Sequence, residues 1–322
     1  MRITDRMILN NNINNLTNSM DRLYELQQQN ATHKKYLKAS DNPSNNASVI
    51  TLKSALQTSE VYESTAQLTK DWMNATDFAL QQAGDIAQRA ISAVMRGLSD
   101  TMGDEARATI AEEIDGMLKE ALDIANTKHL DRYIFAGFNT EARDYIPADG
   151  VGAGGPFISY NEDPTDTTKI TRVVYKDHVD GDPYTPQTIR RDIGPGETIT
   201  ANIDGYTTFK HFIDTLIETR DNLATTPYNA DALRASAGEL DVSLNQITLA
   251  TTINGSRLRD IENSQDRLSL SNVEIKALLS QKEEANMAEI TAELANQENV
   301  YQTVVTISSR TMSMVNLFES LG

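Results

Sequence analysis

The sequence predicts a mainly α fold: a bundle or coiled coil of long helices formed by the N- and C-terminal halves, with a small β-rich domain inserted between them. Three observations carry this. First, from Leu233 to Leu279 alternating steps of four and three residues pick out Leu233, Ala237, Leu240, Leu244, Ile247, Thr251, Asn254, Leu258, Ile261, Gln265, Leu268, Asn272, Ile275 and Leu279. A seam repeating every 3.5 residues or so belongs to a helix that packs lengthwise on another. At roughly 1.5 Å per residue it runs for about 70 Å, too long for a compact core, so the N-terminal half must supply partners of similar length. Second, aromatic residues are 6% of the chain, against 39% hydrophobic residues in all; thin seams fit this better than wide cores. Third, eight of the 16 glycines and six of the eight prolines fall between residues 141 and 205, a composition of turns.

In chain order, Leu9, Ile13, Leu16, Met20, Leu23 and Leu26 form an amphipathic stripe within residues 1–38, but Asn10, Asn11, Asn12, Asn14, Asn15 and Asn18 are poor helix formers. This segment is expected to be disordered alone and helical once a partner covers its stripe. Ser40-Asp41-Asn42-Pro43 reads as a helix start, with Asn or Asp as cap and proline in the first turn. The helix runs to about Arg96 with the stripe Trp72, Ala75, Ala79, Ala83, Ile86, Ala90 and Val94, whose small members allow close approach; Trp72 reads as a core anchor. A loop follows, then a helix capped by Asp104 with Ile110, Ile114, Met117, Ala121 and Ile124 on one face, and a short strand and turn at Tyr133–Phe138.

Strand-like runs in the insertion are 157–160, 170–175 and 198–203. Gly152-Ala153-Gly154-Gly155 is not a phosphate loop, because no Gly-Lys-Ser/Thr follows and no helix pattern starts there. Helical spacing returns with Phe209, Phe212, Leu216 and Leu223, breaks at Pro227 and Asn229, and resumes with the long seam. After Leu279 the phase shifts to Asn286, Ile290 and Leu294, which reads as a stutter, and the pattern continues through Tyr301, Val304, Ser308, Thr311, Val315 and Phe318.

The net charge is −17 with no clustered basic face, which argues against nucleic-acid binding. There is no cysteine, so disulfides and thiolate chemistry are excluded. No run of about 18 apolar residues predicts membrane insertion, and the start lacks the apolar core of a cleavable signal peptide. The ends carry opposite charge. Residues 1–42 hold six Lys/Arg and four Asp/Glu; residues 283–322 hold one Arg and six Glu. Two such helices should prefer each other, or a neighbour's copy, to like pairs. The histidines 33, 129, 178 and 211 lie in unrelated elements, and Glu112-Glu113 and Glu283-Glu284 are adjacent pairs that diverge on a helix. No nucleophile elbow or nucleotide fingerprint occurs. The residues predict neither catalytic nor metal site nor cofactor, and no enzyme.

Several motifs resemble the flagellin superfamily, and within it the hook–filament junction proteins more than the filament subunits. They are Met1-Arg2-Ile3-Thr4-Asp5-Arg6-Met7-Ile8, Lys38-Ala39-Ser40-Asp41-Asn42-Pro43 with Leu52-Lys53-Ser54, Asp131-Arg132-Tyr133-Ile134-Phe135-Ala136-Gly137, Asn254-Gly255-Ser256-Arg257-Leu258 and Glu283-Glu284-Ala285-Asn286-Met287-Ala288-Glu289. The end, Met314-Val315-Asn316-Leu317-Phe318-Glu319-Ser320-Leu321-Gly322, departs from the filament pattern. The resemblance covers roughly 1–140 and 207–322 and none of the insertion.

It implies a structural protein of the bacterial flagellum, an adaptor joining the hook side, through hook-associated protein 1, to flagellin. A filament subunit or a secreted adhesin or apparatus tip protein are the alternatives. Export would be unfolded, through the flagellar type III route, with a chaperone and without a cleaved signal; the protein would be extracellular, on the flagellum. The domain expectation is 1–42 and 283–322 as an inner assembly domain, 43–140 and 207–282 as a helical bundle, and 141–206 as an outer insertion. Self-assembly is expected through Leu9, Ile13, Leu16, Met20 and Leu23 with Tyr301, Val304, Val305, Val315, Phe318 and Leu321.

Overall fold

The computed structural model describes residues 5–138, 140, 158–162, 169–175 and 184–321. Its helices are α1 (Asp5–Thr32), α2 (Pro43–Gly97), α3 (Asp104–Ala125), α4 (Gly205–Ala224), α5 (Ala230–Glu283) and α6 (Met287–Leu321). Three antiparallel hairpins lie between α3 and α4: β1 (Lys128–His129) with β2 (Arg132–Tyr133), β3 (Ile158–Glu162) with β4 (Ile170–Tyr175), and β5 (Arg190–Gly194) with β6 (Glu197–Thr200). The chain divides into two compact units, Met1–Glu60 with Leu270–Gly322, and Val61–Ser269. The fold is mainly α with a small β-containing insert, as the seam and the turn-rich stretch imply.

The Val61–Ser269 unit holds the main core. The predicted stripes of α3 and α4 are buried throughout, and that of α2 is buried apart from half-buried Ala75. Trp72 is buried, edge-on to His129 at 6.1 Å between ring centroids. Phe135 and Phe209 meet edge-to-face at 4.8 Å, a favoured aromatic geometry. Ion pairs Arg89–Glu120 and Arg96–Glu113 join α2 to an antiparallel α3, and Arg220 of α4 reaches Asp115 of α3 at 2.9 Å. Gly97 ends α2 where helices crowd: a Cβ there would meet Leu223 Cδ2 at 2.7 Å and Leu233 Cδ2 at 3.5 Å.

Residues 230–269 of α5 run antiparallel to α2. Gln265 donates to Gln67, Lys70 pairs with Glu262, and Asn254 Nδ2 donates to the Met73 carbonyl at 2.9 Å. Within residues 230–269 every seventh residue of the predicted seam, Leu233, Leu240, Ile247, Asn254, Ile261 and Leu268, is buried. The companion column differs from expectation. Ala237, Leu244, Thr251, Leu258 and Gln265 are half-buried, and the deeply buried column lies one residue earlier, at Ser236, Ser243, Ala250 and Ser264. Small residues let the backbones approach, and serine hydroxyls stay satisfied inside: Ser243 Oγ donates to Glu239 O and Ser264 Oγ to Ile193 O of β5. The β5–β6 hairpin adds Ile193 and Ile199 to a second cluster with Ala66, Met73 and Ile261.

Strands β3, β4 and β6 fall on or near the predicted runs, whereas β5 was not foreseen. The predicted strand at Tyr133–Phe138 is shorter, only β2, with the turn at Gly137 in the left-handed region (φ 55°). Asp104 does not cap α3: Gly103 precedes the helix without a side-chain cap, and Asp104 pairs with Arg107 instead. Asn42 and Asn229 do cap, their Oδ1 atoms accepting from the amides of Asn45, and of Asp231 and Ala232. Gly152–Gly155 lie outside the described residues.

In the other unit, the expected stutter after Leu279 is a full break. α5 ends at Glu283, and α6 begins at Met287 with Asn286 Oδ1 accepting from the Ala288 amide. The reason lies in residues 33–35, which pair with this break: Lys35 N donates to Glu283 O at 2.9 Å and Ala285 N to His33 O at 3.0 Å. Main-chain groups used across the gap cannot continue a helix. α1 stops at Thr32, short of the predicted 38, because His33 turns left-handed (φ 57°) to make that pairing.

Candidate assembly interface

Helices α1 and α6 pack on each other antiparallel within the same chain. Ser19 Oγ and Ser19 O face Gln297 Nε2 at 3.1 Å, Arg22 pairs with Glu293 at 3.1 Å, and His33 Nδ1 lies 3.1 Å from Met287 Sδ. Among the covered residues, Asn12, Leu16, Ser19, Leu23, Leu26 and Asn30 form one column on α1, and Met287, Ile290, Leu294, Gln297, Tyr301, Val304, Ser308 and Thr311 one column on α6. Both columns advance by alternating threes and fours, the spacing of a two-helix seam. Ser19, Leu26 and Ile290 are fully buried and the others half-buried.

Of the residues expected to serve self-assembly, Leu16, Leu23, Tyr301 and Val304 lie half-buried in the α1–α6 seam of one chain. One pair of long helices buries a strip, not a whole face, and these four stand on the strip. Ile13, Met20 and Val305 remain outside it, 48%, 59% and 41% exposed. The side chains of Leu9, Val315, Phe318 and Leu321 lie outside the described residues, although their backbones are helical. Tyr24, Val300 and Ile307 are further exposed apolar residues that the stripe reading passed over. Tyr24 could have been found, since it follows Ile13 and Met20 at steps of seven and four.

The expected opposite charge of the two ends is used in the Arg22–Glu293 pair. Both side chains are about half exposed, so it orients the pairing more than it stabilises it. Glu283 sits where the two chain ends converge. Lys34 reaches it at 3.0 Å and Lys53 of α2 at 2.8 Å. The Lys53 hydrogen bond, reinforced by Lys34, holds its carboxyl below the ordinary value of 4.5. Among the described residues, no group of His, Asp or Glu is placed to hold a metal ion. No described helix is long and apolar enough to cross a membrane.

Residues 3–140 match the bacterial flagellin N-terminal helical region. Over that stretch the chain is flagellin-like. It is also similar to flagellar hook-associated protein 3 of Salmonella typhimurium, with 28% identity over 156 residues, 48% of this chain and 49% of that protein. The match thus spans about half the length of this relative. Among solved structures, hook-associated protein 3 of Legionella pneumophila superposes with TM-score 0.58 over 72% of this chain and 98% of that one, at 12% identity. FlgL of Xanthomonas campestris gives 0.55 over 71% and 99%, at 13% identity. At such identities the likeness concerns the fold, over 72% and 71% of this chain.

Proposed function

We propose that this chain is a structural protein of the bacterial flagellum, the adaptor that joins the hook side, through hook-associated protein 1, to the flagellin filament. The observation that carries the reading is the α1–α6 pair. Two chain ends meet in one thin seam and leave apolar residues facing outward, an unfinished surface that copies of the chain can complete. The flagellin-like N-terminal region and the similarity to hook-associated protein 3 give that surface its context. Its role is assembly rather than catalysis, and its place is outside the cell.

In this reading residues 1–42 and 283–322 build the inner assembly domain. Residues 43–140 and 207–282 form the supporting bundle, and 141–206 faces outward. Ile13, Met20 and Val305, with Leu9, Val315, Phe318 and Leu321, meet neighbouring copies; Leu16, Leu23, Tyr301 and Val304 hold the pair that presents them. An adaptor needs one surface for the protein below and another for the one above, a heterologous contact. Export unfolded, with a chaperone, fits an N-terminal helix rich in asparagine, which is weak alone, and a chain without cysteine.

The test is electron microscopy of the purified protein under polymerising salt, alone and with hook fragments that carry hook-associated protein 1. Material added at hook ends, with no long filaments from the protein alone, is the expected result. Long filaments from the protein alone would make it a filament subunit instead.

A further inference from the structure

We infer that Glu283, held between Lys34 and Lys53, is an electrostatic latch that closes the base of the α1–α6 hairpin, and that releasing it frees both terminal helices to re-aim. The inference does not depend on the junction reading; it concerns how this chain holds its own ends.

Three segments converge at Glu283. Lys34 comes from the connection after α1, Lys53 from α2, and Glu283 itself is the last residue of α5. The carboxylate is mostly covered, 22% exposed, while the lysines are 50% and 52% exposed. The acid is therefore fixed and the lysines close on it from solvent. Its own main chain takes part: Glu283 O accepts from the Lys35 amide, and Lys282 O accepts from Asn45 Nδ2 at 2.9 Å. The Ala285 amide returns to His33 O. Residues 282–285 thus join the connection after α1 to α2 and to the turn before α6.

Isolated surface pairs contribute little. Here two cations share one acid, and the pairs secure main-chain hydrogen bonds that end two helices. The other titratable groups near the site include His33, Lys35, Tyr36 and Lys38 of the connection, Lys276 and Lys282 of α5, and Glu284, which accepts from Ser280 Oγ. Removing Glu283's charge leaves Lys34 and Lys53, which both reach it, without the anion they share, and Glu284 is turned to Ser280, so repulsion adds to the lost attraction. Salt weakens the same contacts, because at 1 M the Debye length falls to roughly 3 Å, comparable to the separation of these charges.

The experiment is amide hydrogen exchange on the full-length monomer at fixed neutral pH, reading the amides of Lys35 and Ala285, with amides of α4 as internal reference. Glu283→Gln should speed exchange at both positions about tenfold while α4 is unchanged, and roughly 1 M salt should do the same to the unmodified chain. Lys53→Glu combined with Glu283→Lys and with Lys34→Met, which removes the cation that would otherwise repel the new lysine, restores a charge pair and should recover much of the protection. Unchanged exchange in Glu283→Gln would overturn the latch, since the main-chain bonds would then hold alone. Faster exchange that the exchanged pair fails to slow would overturn it equally, by showing that the side chain's shape matters rather than its charge. Lys53→Met removes one cation without touching the helix end. It should give part of the Glu283→Gln effect, and no effect there would also count against the latch.

Discussion

Arg107 shows how much a single residue can hold. It is buried at the start of α3, where Nε donates to Gly97 O, Nη2 to Ser99 O and Nη1 meets Asp104. Its guanidinium lies 3.8 Å from the Tyr228 ring centroid. One planar group thereby fixes the loop between α2 and α3 and the approach to α5. Arg107→Met should cost about 2–4 kcal/mol in urea unfolding, by taking the guanidinium from the carbonyl of buried Gly97 and from the Tyr228 ring. Arg107→Lys should recover less than half, because an ammonium cannot reproduce the fork or the stacking; full recovery would mean that charge alone suffices. Asn254 poses the opposite case. Its Nδ2 is bonded to Met73 O, but among the described residues its Oδ1 has no partner. A half-satisfied amide in a seam fixes register at a cost in stability. Asn254→Leu should therefore raise the unfolding midpoint, and a loss of more than about 1 kcal/mol would instead make the amide a net stabiliser. For Glu283 the sign with pH is set by its lowered pKa. Its stabilising contribution is full above the ordinary value of 4.5 and is lost as pH falls through the lower folded value. Protection of the Ala285 amide, corrected for intrinsic exchange rates, should accordingly be flat near neutrality and fall in acid; protection that fell toward higher pH would contradict this.

Among the elements, the α1–α6 pair separates two kinds of apolar residue that one stripe made equal. Leu26 is fully buried between the helices, whereas Met20 projects outward. Leu26→Ala should open the pair in the monomer at a cost of about 2–4 kcal/mol, visible as faster exchange along α1. Met20→Asp should leave monomer exchange unchanged and abolish addition to hook ends; retained addition would remove Met20 from the assembly surface. The helices themselves were legible because their signals are periodic and local. α2 begins at Pro43 as its asparagine and proline require, and the stripes of α3 and α4 are buried as spaced. What sequence could not tell was which neighbour each side chain meets. The seam column at Ser236, Ser243, Ala250 and Ser264 is hidden in composition, since serine and alanine suit solvent as well as a tight helix contact. The break at residues 284–286 was invisible because its cause is main-chain pairing with residues 33–35, some 250 positions away. The same gap hid the latch: Glu283 reads as one of two adjacent acids until Lys34 and Lys53 are beside it.

For the molecule as a whole, the cores of the two units decide how it unfolds. In the Val61–Ser269 unit, α2, α3, α4 and α5 share one continuous apolar cluster, with Phe135, Phe209, Phe212, Leu80, Ile86 and Leu118 fully buried. In the other unit the buried apolar residues are Leu26, Val49 and Ile290 among the described residues. Hydrophobic burial is the dominant favourable term and scales with area, so the units cannot be equally stable. Calorimetry of the monomer should show a small transition for the terminal unit, at lower temperature than the main one. Adding roughly 1 M salt should lower the first transition through the Glu283 contacts and leave the second nearly in place. Deleting residues 1–38 and 285–322 should remove the first transition and shift the second by no more than a few degrees, because the main core lies wholly within residues it keeps. A single transition that moves with the deletion would mean that the terminal pair is part of one cooperative core. In that event its helices would not be free to find new partners on assembly, and the unfinished surface of α1 and α6 would have to be completed without any change in how the chain holds its ends.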